Sequence, residues 1–172
     1  MSKTMAELIT SSKRKTYARS KIETRATRMF PTLHADVANA VSTHISPLCF
    51  HQSDSEDDST KTYSTYVMGH FVCSNAACKA RSWGSGKISI VIRGYPCNEY
   101  NATVYGQRCK TCNELGRLKI DVKSYVDRVS HRLMVWAGVP MEPRQYVQKE
   151  TLPHMEELCE ACRRGVCRQQ DI

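Results

Sequence analysis

The segment CSNAACKARSWGSGKISIVIRGYPCNEYNATVYGQRCKTC, from Cys73 to Cys112, decides the fold. It opens and closes on cysteine pairs. Four residues separate Cys73 from Cys78, two separate Cys109 from Cys112, and thirty lie between the pairs. Between them Ile88, Ile90 and Ile92 recur at period two, the pattern of a half-buried strand. Two such pairs, each at a hairpin tip, build a zinc ribbon. The close spacing lets both thiolates of one turn reach an ion about 2.3 Å away without strain. Soft thiolates favour zinc. The two pairs predict one four-cysteine site whose binding energy is largely folding energy.

A second cluster, HMEELCEACRRGVC, runs from His154 to Cys167. Its spacing is His-x4-Cys-x2-Cys-x4-Cys, through Cys159 and Cys162. A lone histidine is usually a surface residue, but beside three clustered thiols His154 reads as the fourth ligand. Gly165 falls between the last ligands, where a tight turn needs it. The set closes a short local loop, so it is expected to behave as a separate unit. Arg163, Arg164 and Arg168 lie among the thiolates, whose shell around Zn²⁺ carries a net negative charge.

Two rival chemistries are weaker. The chain has nine cysteines, so full disulfide pairing is impossible. A nucleophilic thiol needs a positioned base, yet every clustered cysteine already has a partner at ligand spacing. Neither a thioredoxin-like βαβ pattern, a Gly-rich phosphate loop nor a His-Glu-x-x-His motif is present. Eight ligands for two ions also argue against an open catalytic site. The expected protein is therefore not an enzyme. Cys49, between Leu48 and Phe50, is expected to be a small buried hydrophobe, and Cys97 a free thiol in a turn.

The 172 residues suit one domain, and an aromatic content of 8% suits a modest core. No apolar run follows the basic start and no eighteen-residue window is apolar, so neither a signal peptide nor a membrane span is expected. The thiols are then expected in a reducing compartment, intracellular (cytoplasmic or nuclear) and not secreted. The Asn101-Ala102-Thr103 sequon then carries no glycan. Net charge is +8 and unevenly placed. Residues 61–140 carry twelve Lys/Arg against four acids, while residues 51–60 carry four acids and no Lys/Arg. The basic surplus suits a polyanion, an anionic membrane surface or an acidic partner, and equally plain solubility.

Residues 1–28 read as a basic flexible tail, with Lys13-Arg14-Lys15 as a possible nuclear address. Residues 29–62 read as a short helix followed by a solvated acidic loop with nothing to bury. Pro31 lies near the helix's expected first turn, and Leu33, Val37, Ala40 and Val41 fall at helical spacing. Residues 63–170 read as the zinc-binding domain. Strands are expected over 65–73, 87–93, 101–109 and 116–122. A helix follows, with Asp121 as N-cap, a stripe of Val122, Tyr125, Val126, Val129 and Leu133, and Gly138 with Pro140 as its stop. Residues 140–153 are a connector. The fold class is α+β: a small zinc-ribbon-like antiparallel sheet with one packed helix, a short N-terminal helix and a C-terminal zinc knuckle.

Three segments, GHFVCSNAAC (69–78), VYGQRCKTCN (104–113) and HMEELCEACRRGVC (154–167), together resemble the 3CxxC-type zinc-finger family. The family includes vertebrate receptor-transporting proteins, zygote arrest proteins and many fungal proteins, and the resemblance is closest to the fungal members. It spans about residues 63–170. It implies two zinc ions, one held by Cys73, Cys78, Cys109 and Cys112 and one by His154, Cys159, Cys162 and Cys167. The first pair departs from the family pattern, being Cys-x4-Cys rather than Cys-x2-Cys. The C-terminal anchor of the receptor-transporting members is also not seen in this sequence.

Two functions follow as expectations. One is a zinc-stapled module that binds a protein partner, in the manner of an aid to membrane-protein trafficking. The other is an RNA-binding protein acting on mRNA, as the zygote arrest branch implies. For the second, Trp83, Tyr95, Tyr100 and Tyr105 are stacking candidates among Lys87, Arg93 and Arg108. Against it, aromatics this few are needed in a core.

Overall fold

The computed structural model describes residues 21–143 and 152–168. The Lys13–Lys15 triplet and most of the 140–153 connector lie outside these. Six strands form one sheet: β1 (Thr27–Met29), β2 (Cys49–Phe50), β3 (Lys61–Cys73), β4 (Ser82–Tyr95), β5 (Glu99–Tyr105) and β6 (Gly116–Ile120). The order is β1-β5-β4-β3-β6, with β2 pairing beside β1 on the same edge of β5. All pairings are antiparallel except β2 with β5. The long β3–β4 hairpin runs in register from Lys61 opposite Gly94 to Val72 opposite Ser82, with one bulge between Val67 and Gly69.

Period-two alternation sorts the sheet into two faces. On one face Val67, Phe71, Ile88, Ile90, Ile92, Tyr100, Ala102 and Val104 are buried. Two helices, α1 (His34–Val41) and α2 (Val122–Trp136), cover them through Val37, Tyr125, Val129 and Leu133. The second helix begins as expected, whereas the first starts a turn late, with Leu33 left outside it. Pro31 lies in a 3-10 turn leading into α1, and the Asp121 carboxylate accepts the Ser124 N–H at 2.8 Å. Val122 departs from its stripe and stays 45% exposed. Gly116 is required by close approach: a Cβ there would lie 2.6 Å from the Trp83 ring, which stacks on Phe71.

Four expectations need correcting. Residues 21–28 are not all tail, because β1 pairs with Thr103–Tyr105 of β5. The strand expected over 101–109 ends at Tyr105, where the chain leaves β4 to pair with the C-terminal segment instead. The acidic loop is not merely solvated: it folds over the second face of the sheet. There the Arg93 guanidinium, 3% exposed, donates to Asp54 and Glu56. Tyr95 and Asn101 hold the backbone carbonyls of Ser55 and Ser53. Cys49 is exposed rather than buried, since the two-residue β2 lies at the sheet's margin. Cys97 is exposed in the β4–β5 turn.

Candidate metal centres

The first ligand set forms where β3 ends and β6 begins. Cys73 is the last residue of β3 and pairs with Gly116. Cys78 lies in the turn between β3 and β4, and Cys109 and Cys112 lie in the turn leading to β6. The four sulfurs all lie within 4.8 Å of one another. Cys73 and Cys112 are 3.5 Å apart and Cys78 and Cys109 3.7 Å. Zinc bonds of about 2.3 Å at the tetrahedral angle put sulfurs about 3.8 Å apart, so the set fits the ion. The longer first turn still closes, because the Asn75 side chain holds the Ala77 N–H and the Cys78 N–H returns to the Asn75 carbonyl.

Backbone N–H groups point at the sulfurs, as an anionic thiolate requires. The Ala80 N–H lies 3.5 Å from Cys78 Sγ. As free thiols, burial pushes Cys73 up to about 12, against the Asn75 N–H that pulls it down. Burial also pushes Cys109 up, but the N–H groups of Cys112 and Thr111 outweigh it and bring that thiol to about 7. The same turn therefore stabilises the charged form at one sulfur while burial penalises it at the other. A divalent cation resolves the conflict by neutralising the charge in place.

The second set is built from His154, a 3-10 turn at Glu156–Leu158, and the short helix α3 (Glu160–Arg163). His154 Nε2 lies 3.2 Å from Cys162 Sγ and 3.6 Å from Cys167 Sγ. The four ligand atoms again lie within 4.8 Å of one another. Burial first, and the Lys87 charge second, hold His154 below its ordinary value. The imidazole is thus neutral, with a lone pair for an ion. Gly165 takes φ +69°, the left-handed conformation that its place between Cys162 and Cys167 anticipates.

This second set is not a detached unit. Cys159, Ala161 and Cys167 pack with Val91 and Tyr105 on the sheet face opposite the helices. Gln107 bridges to Cys159, and Arg108 donates to Glu160 at 2.6 Å. Cys109 follows directly, so one short stretch joins the two sets. The Ser89 hydroxyl lies 3.1 Å from Cys167 Sγ and 3.8 Å from Cys159 Sγ, and the Tyr66 hydroxyl 3.6 Å from Cys167 Sγ. These hydroxyls can donate to the thiolates, a role that ligand spacing could not reveal. The only hint in the sequence is a serine in the isoleucine strand.

The expected nucleic-acid residues separate. Arg93 is corrected: it is buried and paired with the acidic loop. Tyr95, Tyr100 and Tyr105 are 6%, 0% and 4% exposed, so none offers a face to a base. Trp83 is half-buried against Phe71. Trp83, Lys87 and Arg108 do line one groove, together with Cys109 and His154 from the two ligand sets.

A family model described as a zinc-binding domain, the 3CxxC zinc ribbon, matches residues 66–165. The match takes in seven of the eight ligands and ends just short of Cys167. No curated protein and no solved structure matches the chain.

Proposed function

Because the chain belongs to the 3CxxC zinc-ribbon family of zinc-binding domains, we propose that it is a zinc-stapled, non-enzymatic module that binds a protein partner. The ions would be structural: four protein ligands fill each tetrahedral shell, leaving no corner for a substrate. When bound, zinc supplies charge neutralisation and a crosslink. The chain's residues supply the shape around it.

The observation that carries a protein partner is which groups stay accessible. The tyrosines and Arg93 that an RNA site would use are occupied inside the molecule. A strand edge beside a groove lined by both apolar and basic side chains remains open. The resemblance to receptor-transporting proteins supports a partner that is itself a membrane protein in transit. No helix among the described residues is long and apolar enough to cross a membrane. Nine cysteines and two thiolate sites suit the cytoplasm or nucleus.

RNA binding is the second reading, carried by Trp83, Lys87 and Arg108 sharing one groove. Tagged chain purified with and without nuclease separates the two. A protein that co-purifies after nuclease treatment supports the first. Retention on RNA resin that falls log-linearly with salt, with nuclease-sensitive co-purification, supports the second.

A further inference from the structure

β4 is longer than its neighbour. β3 pairs with it from Ser82 to Gly94, but β5 pairs only from Ile90 to Tyr95. Beyond Tyr105 the chain turns away to meet Cys159 and Leu158. The segment Ser82–Lys87 thus has β3 on one side and no strand on the other among the described residues. A groove of about 500 Å³ runs along that free edge, taking in all six residues. Its far wall is the segment entering the second ligand set, where Leu152 is 89% and Met155 39% exposed.

Resting on the protein-binding reading above, we infer that this groove takes an extended acidic peptide segment of a partner, added as a strand to the free edge of β4. At its Lys87 end the edge is already capped, since the Lys87 carbonyl accepts from the Gln107 amide and the Lys87 N–H donates to Ser85 Oγ. The backbone open to a peptide is that of Ser82–Gly86, a span of about 16 Å. Gly84 and Gly86 leave the approach open; a Cβ at Gly84 would meet nothing nearer than His70 Nδ1 at 3.8 Å. Trp83, Leu152 and Met155 provide apolar contact for alternate side chains. The charge selects the occupant. Lys87, Arg108 and Lys110 line the groove and no carboxylate does. Arg108 is already paired with Glu160, whereas Lys87 and Lys110 have no ion-pair partner among the described residues.

The probe is a fluorescein-labelled peptide of alternating glutamate and valine, compared with its lysine–valine counterpart and with a uridine oligonucleotide. Binding to the zinc-loaded full chain is read by fluorescence anisotropy, and its place by amide hydrogen exchange. The acidic peptide is expected to bind, to slow exchange over Ser82–Gly86, and to lose binding when alternate peptide amides are N-methylated. Lys87→Gln with Lys110→Gln should weaken it about tenfold, the effect of removing two exposed ion pairs, with parent and variant compared at equal zinc content. Equal binding of the N-methylated peptide overturns the inference. So does protection elsewhere, or by the oligonucleotide alone, or no peptide binding at all. Any of these, alongside a nuclease-resistant protein partner, refutes this groove and leaves the broader reading standing; absence of that partner refutes the broader reading itself.

Discussion

Ser89 stands between Ile88 and Ile90, yet it is buried with its hydroxyl against two sulfurs of the second ligand set. A zinc-bound thiolate keeps negative charge, and each donor to it strengthens the site. Ser89→Ala removes a donor without leaving a large hole. It should weaken the second zinc about tenfold in competition with a chelator and leave the first unchanged. His154 makes a complementary test. His154→Cys places a thiolate at the same corner and should keep both ions, whereas His154→Ala should lose the second; equal chelator resistance of the alanine variant and the parent would mean that three cysteines suffice. The ligands themselves were legible because ligation is local: two to four residues between thiols can be counted in the sequence. Ser89 and Tyr66 act on Cys167 from strands far away in sequence, and no spacing records that.

At the scale of elements, β4 explains both what could and what could not be read. Its isoleucines alternate, which marks one buried face and suggests a solvated one opposite. That second face is covered too, by the acidic loop and the second ligand set. Ser89, Arg93 and Tyr95 are therefore buried at positions that alternation assigns to solvent. Arg93 read as a free cation for the same reason. The helix α2 was legible from cap to stop because its signals are local. The loop's docking depends on contacts nearly forty residues apart. The pairing has an asymmetric consequence. The Arg93 side chain is 4% exposed, while Asp54 and Glu56 are 36% and 75% exposed. Replacing both acids with alanine strands a buried cation and should cost about 2 kcal/mol in denaturant unfolding of the zinc-loaded protein. Arg93→Met leaves two carboxylates free to rehydrate and should cost less than half of that. The reverse order would mean that the loop is not held by this charge.

For the whole molecule, the two ligand sets tie down separate parts of one sheet. The first ties the ends of β3 and β6 to the turn after β5, and the second seals the face that the helices leave bare. Arg108 and Glu160 join them. Much of the stability of such a fold is metal binding, so chelation should abolish cooperative unfolding rather than merely loosen the C-terminus. The central claim is that each set holds its own ion within one folded unit. The most direct measurement is zinc per chain by elemental analysis, on the full protein and on Cys112→Ser and Cys162→Ser variants, with fold checked by circular dichroism. Two ions are expected for the parent, and one each for variants that stay folded. A parent that is folded with one zinc or none would contradict the account.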